Sequence, residues 1–231
     1  MIHQLPLSIS FNQKTALSNF YWNDNAILKQ QFDWLIQNKG EPLLYIWGNR
    51  GSGKSHLLQG SCDAISKLGI DVAYLPLELL KKWGPSTIDG VEHQSFIAID
   101  GLEHIAGDPA WETALFHLYN KAQENEKTTL LVAATQSPLL LPFCLPDLRS
   151  RLASGLVIYL KELPDILKMT VLQEYAKQRG FILSKAVAHF LMNRCERNMH
   201  KLVQLLNQLD DASLAAQRKI TIPFVKSITH L

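Results

Sequence analysis

Cysteine is scarce in this chain of 231 residues: Cys62, Cys144 and Cys195 are far apart, odd in number and without a C-x-x-C pair. That pattern excludes a disulfide framework and points to reduced thiols in a cytosolic protein. The eight histidines include no H-E-x-x-H and no cluster at ligand spacing, so no protein-held metal centre is indicated. An excess of one charge is also missing. Lysine and arginine number 23 against 21 acidic residues, and a net charge of +2 announces no nucleic-acid partner, although local patches are compatible with it. No run approaches the roughly 18 apolar residues of a membrane span. The start, MIHQLPLSISF, lacks the layout of a signal peptide, and no repeat or low-complexity tract interrupts the chain. A soluble, cytoplasmic protein without membrane association is the expectation. With 47% hydrophobic residues over this length, the chain can bury one large core or two small ones.

What is present is organised around Gly48 to Ser55, GNRGSGKS, which fits the phosphate-loop pattern G-x-x-x-x-G-K-[ST]. An apolar run, Leu43 to Trp47, precedes it as a buried strand, and Leu57, Leu58, Cys62, Ile65 and Leu68 follow at helical spacing. Strand, loop and helix are therefore in the order the motif needs. Gly48, Gly51 and Gly53 allow positive φ and a close approach of backbone N–H groups to a phosphate chain, toward which the helix dipole also points. Lys54 would reach the β/γ-phosphates and Ser55 would offer its hydroxyl to Mg²⁺. Asn49, Arg50, Ser52 and the adjoining His56 complete the candidate nucleotide-binding segment.

Further along, Val72 to Leu75 makes a second strand, and Phe96-Ile97-Ala98-Ile99-Asp100 has the form of a Walker B strand whose Asp100 helps hold Mg²⁺ through water. Gly101 stands where many such ATPases carry a second, water-activating acid; Glu103 follows, with nothing in the sequence to aim it. Weak or absent autonomous hydrolysis is the inference. Thr129 to Ala134 is a fourth strand ending at Thr135, a γ-phosphate sensor position or an ordinary strand end, and Val157 to Leu160 a fifth. Helices are predicted over Ala26 to Ile36 and residues 110 to 124. Tyr21 and Trp22 could line an adenine pocket or cover the sheet edge. Alternating strands and helices imply an α/β domain, a parallel five-stranded sheet flanked by helices. From Pro164 the pattern becomes helix only: Pro164 to Gln178, a second helix capped by Ser184, a third holding Met199 to Leu209, and a fourth from Ile222-Pro223. The expected domains are an N-terminal peptide (1–11), a nucleotide-binding α/β domain (12–161) and a small all-helical lid (162–231).

At the N-terminus, Gln4-Leu5-Pro6-Leu7-Ser8-Ile9 is either a bland tail or leading strand, or a linear docking peptide whose apolar side chains fill pockets in a groove. Together with GNRGSGKSH, AIDGLEHIAGD, LPDLRSRLASG, ERNMHKL and ASLAAQRKITIPFVKSI, it makes nearly the whole chain resemble the DnaA-related AAA+ family, and within it the regulatory Hda type. The initiator itself would continue past Leu231 into a DNA-binding domain, and the N-terminal peptide is similar to a sliding-clamp-binding motif. The resemblance implies a P-loop AAA+ module with ADP (or ATP) and Mg²⁺ as cofactors. It makes Arg151 an arginine finger acting in a neighbouring subunit's site and Arg197 a sensor II arginine on the chain's own nucleotide. Thr135 falls at sensor I, where relatives often carry Asp. The implied partners are the DNA polymerase sliding clamp (β subunit) and the initiator DnaA, with DNA reached only through the clamp; self-assembly into a homo-oligomer is left open. The implied function is regulatory inactivation of the initiator by stimulated ATP hydrolysis. The alternative is an autonomous ATPase such as a helicase loader or DNA remodeller, favoured by an intact Lys54 and by Arg149 and Arg151.

Overall fold

Five short apolar runs form the strands β1 (Leu43–Trp47), β2 (Val72–Pro76), β3 (Phe96–Asp100), β4 (Thr129–Ala134) and β5 (Leu156–Tyr159). In the computed structural model, which describes residues 17–37, 39–124 and 128–229, they make one parallel sheet in the order β2-β3-β4-β1-β5. Leu43, Leu44, Tyr45 and Ile46 are all buried, as expected of a parallel strand covered on both faces rather than one. The register aligns Trp47 with Ala134 and with Tyr159, and Asp100 with Ala133. The carboxyl ends of β1, β3 and β4 therefore share one edge of the sheet, the edge at which α/β sheets bind ligands.

The helices are α1 (Ala26–Ile36), α2 (Lys54–Ser66), α3 (Leu77–Leu80), α4 (Pro109–Glu124), α5 (Pro146–Ser154), α6 (Asp165–Gln178), α7 (Lys185–Arg194), α8 (Met199–Ala216) and α9 (Ile222–Thr229). Between β2 and β3 the chain makes short 3-10 turns, among them Pro85–Ile88 and Val91–His93. α5 was not predicted: Pro146 occupies a first-turn position, where its missing N–H leaves no hydrogen bond unmade. β5 lies one residue earlier than its pattern suggests, and Leu160 leaves the sheet while remaining buried.

The chain divides into two compact units. One runs through to Trp47 and resumes over Lys54–Tyr159; the other joins Gly48–Gly53 to the chain from Leu160 onward. The sheet unit packs Tyr45, Ile97, Ile99, Trp111, Leu130 and Val132 into a common core. On α2, Cys62 lies fully buried, and burial pushes its thiol up to about 12, which keeps it protonated and inert. In the helical unit Leu172, Leu191, Leu202, Leu206, Leu209 and Val225 form the core, and each such side chain contributes about 1.5–3 kcal/mol by leaving water. Two caps fix its helix starts: Ser184 Oγ accepts from Val187 N at 3.3 Å on α7, and Asn198 Oδ1 accepts from His200 N and Lys201 N on α8. Arg179 and Asp210, 2.6 Å apart, tie α6 to α8. Among the described residues no helix is long and apolar enough to cross a membrane.

Candidate nucleotide-binding site

The segment between β1 and α2 is shaped by its glycines. Gly51 and Gly53 take φ of +84° and +101°, values that L side chains rarely adopt. Gly48, by contrast, is not in the left-handed region. Its place is set by a close approach, since a β-carbon there would stand 2.7 Å from the carbonyl oxygen of Leu160. The loop's own N–H of Ser52 donates to Asn49 O at 3.2 Å.

Ser52 is only 7% exposed, and its hydroxyl has no hydrogen-bond partner among the described residues. A buried, orphaned hydroxyl normally costs about 1–3 kcal/mol; a phosphate oxygen in the loop would supply its acceptor. Lys54, the first residue of α2, is buried as well, and Ser55 follows it, exposed. A glycine-shaped backbone, an orphaned hydroxyl, a buried ammonium and the start of a helix of 13 residues fit the phosphate chain of a nucleotide. Mg²⁺ bound with it would take the Ser55 hydroxyl and, through water, Asp100.

Asp100 ends β3, and its Oδ2 accepts from the Tyr74 hydroxyl of β2 at 2.7 Å. Tyr74 in turn accepts from Gln59 Nε2 of α2 at 3.0 Å. Burial, with the Asp100 charge adding to it, pushes the Tyr74 phenol far up, so it remains a neutral donor to the carboxylate. Sequence reasoning missed Tyr74 and Gln59. The available signal was a hydroxyl-bearing residue inside an otherwise apolar strand.

Next to Asp100, Gly101 takes φ +80° and ψ 46°, and a β-carbon on it would meet His104 Cδ2 at 2.8 Å. A second acid at this position would be strained. Glu103 is committed elsewhere, its Oε2 accepting from the backbone N of Thr135 at 3.0 Å. Thr135 thus follows β4, and the contact made there is through its backbone. Tyr45, deep in β1, donates to Gln136 O at 2.9 Å, and its phenol is pushed up chiefly by burial and further by the Glu103 charge.

Tyr21 and Trp22 are half-buried. Trp22 packs on Phe20, with centroids 4.8 Å apart, and on Phe32 of α1 at 5.5 Å. Phe20, which the sequence did not single out, meets His56 of α2 edge-on at 5.7 Å. Of these rings, Phe20 lies against the first turn of α2, and Trp22 bridges Phe20 to α1.

Arg151 lies exposed in the last turn of α5, and neither its guanidinium nor that of Arg149 has a partner among the described residues. Arg197 precedes the cap of α8 rather than lying within the helix. Its Nη1 donates to Asp165 Oδ2 at 2.6 Å and its Nε to Met192 O at 3.2 Å. The peptide Gln4, Leu5, Pro6, Leu7, Ser8 and Ile9 lies outside the described residues.

A five-stranded parallel sheet in this order, a glycine-shaped loop after β1, an aspartate ending β3 and a separate helical unit make up the fold of P-loop AAA+ modules. More particularly, residues 165–229 match the family model for the lid domain of Hda. The fold is similar to domain III of the Thermotoga maritima replication initiation protein DnaA, with a TM-score of 0.80 and 19% identity, covering 94% of this chain and 96% of that one. AMPPCP-bound DnaA from Aquifex aeolicus is similar at TM-score 0.71 and 21% identity, over 87% of this chain and 66% of that one. The Thermotoga maritima RuvB Holliday junction branch migration motor is similar at 0.69 and 16%, over 95% and 72%. The chain thus has the fold of DnaA domain III, and its residues 165–229 are similar to the lid domain of Hda.

Proposed function

We propose that the protein is a DnaA-related regulator of replication initiation that holds an adenine nucleotide on its own loop and promotes hydrolysis of the ATP bound by the initiator. The observation that carries this reading is Arg151, an exposed arginine without a partner among the described residues. A guanidinium delivered into a neighbouring ATP site neutralises charge on the transferring phosphoryl group, an effect worth roughly 10³ to 10⁵ in rate. The chain's own loop is a poor place for that chemistry, because Gly101 offers no acid and Glu103 is held by Thr135 N. Support for adenine comes from the AMPPCP in the Aquifex initiator.

In this reading Gly48 to His56 hold ADP, with Asp100 and Ser55 beside Mg²⁺. Tyr21 and Trp22 stand toward the base, and Thr135 and Arg197 serve as sensors. Residues 1–11 are the docking peptide, 12–161 the nucleotide-binding domain and 162–231 the lid. Gln4 to Ile9 bind the DNA-loaded sliding clamp, which brings Arg151 to the initiator. The test is hydrolysis of initiator-bound ATP with clamp and DNA. Wild type should accelerate it, and Arg151→Ala should lose the acceleration while keeping ADP and clamp binding. No acceleration by wild type overturns the reading. Robust steady-state turnover by the isolated chain would instead favour an autonomous ATPase acting on DNA, which the intact Lys54 and Ser55 also permit.

A further inference from the structure

We propose that Asn198, Glu162 and Lys168 form a polar yoke that binds the phosphate loop to α6 and α8, so that the loop and the first turn of α8 respond together when the loop is occupied. All of these groups belong to the compact unit made of Gly48–Gly53 and the chain from Leu160 onward. Asn198 acts in two directions. Its Oδ1 caps α8, and its Nδ2 donates to the carbonyl oxygen of Arg50 at 2.8 Å. Only this orientation of the amide serves all three partners, since a carbonyl cannot donate. The amide lies flat on the loop: a β-carbon on Gly51 would come within 2.6 Å of Asn198 Oδ1.

The second arm starts one residue earlier in the loop. Asn49 Nδ2 donates to Glu162 Oε1 at 2.8 Å, Lys168 Nζ donates to Glu162 Oε2 at 3.3 Å, and the same ammonium donates to the carbonyl oxygen of Arg197 at 2.9 Å. Arg197 is the neighbour of Asn198, so the path closes on itself. At its hub Lys168 is 6% exposed, with Asp165 Oδ1 a further 4.0 Å away. A buried ammonium is held by its acceptors far more firmly than a surface one, and removing them is correspondingly disruptive. The yoke presets the loop before any ligand arrives. Its role in transmitting occupancy rests on reading that loop as a nucleotide site.

Asn198→Asp separates capping from coupling: aspartate caps as well as asparagine, but it offers Arg50 O no donor. The full chain is followed by deuterium exchange and by titration with ADP·Mg²⁺. In the nucleotide-free variant the amides of residues 48–53 should exchange about tenfold faster, with Tm within about 3 °C of wild type, and ADP should bind about five- to tenfold more weakly. Saturating ADP should slow exchange at residues 199–203 in wild type and leave it unchanged in the variant. Glu162→Ala, which alters no cap, should move loop exchange in the same direction by about threefold, and decides the matter if Asn198→Asp does not fold. Loop exchange equal to wild type in the folded variants overturns the yoke. If wild type binds no ADP, the nucleotide reading and the transmission fall, while exchange in the nucleotide-free loop still decides whether the yoke exists.

Discussion

Gly101 reads in sequence as a missing acid, and its geometry adds a conformational reason. At φ +80° an L residue costs about 1–3 kcal/mol, and the nearby His104 ring leaves little room for a β-carbon. Gly101→Glu should therefore lower stability by about that amount, or about 2–4 °C of Tm per kcal/mol, without producing ATP turnover. Thermal unfolding and a steady-state ATPase assay check both halves; a stable, hydrolysing variant would refute the conformational reading. Glu103 makes the complementary point. Its letter is visible in the sequence, yet its partner, the N–H of Thr135, lies 32 residues away on another strand's end. Tyr74 was illegible for the same reason, because its contact with Asp100 exists only once β2 lies beside β3.

Among the elements, α5 escaped prediction because its apolar stripe is short, Leu148 and Leu152, and it follows a proline-rich stretch. What fixes its start comes from α4. Glu112, fully buried, accepts from Gly107 N at 2.7 Å, Cys144 N at 3.1 Å and Leu145 N at 2.7 Å. Leu145 is the residue from which α5 begins, so one carboxylate ties two loops to the helix that carries Arg151. Glu112→Ala leaves three backbone donors without that acceptor, and each buried orphan costs about 1–3 kcal/mol. We expect a loss of about 3 kcal/mol or more in urea unfolding, with faster amide exchange at Cys144 and Leu145. A near-neutral result would mean that water replaces the carboxylate. The four-residue α3 also escaped prediction, whereas α1, α2, α4, α6 to α9 and the five strands were legible from their apolar spacing, with caps such as Ser184 in place.

At the scale of the whole molecule, the proposed docking through Gln4 to Ile9 has a direct test. Gln4→Ala with Leu5→Ala should abolish capture on immobilised clamp while leaving Tm and ADP binding unchanged; capture at the wild-type level would refute docking through this peptide. The compact units are not contiguous in sequence, because Gly48–Gly53 groups with the chain from Leu160 onward although Trp47 and Lys54 on either side belong to the sheet unit. By itself the sequence determined the class of fold, the glycine-shaped loop after β1 and the aspartate that ends β3, since hydrophobic period, glycine spacing and caps act over a few residues. Tertiary structure alone decided where the polar groups went: Glu103 to Thr135, Tyr74 to Asp100, Glu112 to the start of α5, and Asn198 to Arg50. Burial obliges a group such as Glu112 to find a partner, but which partner any of these groups finds depends on elements brought together from distant parts of the chain.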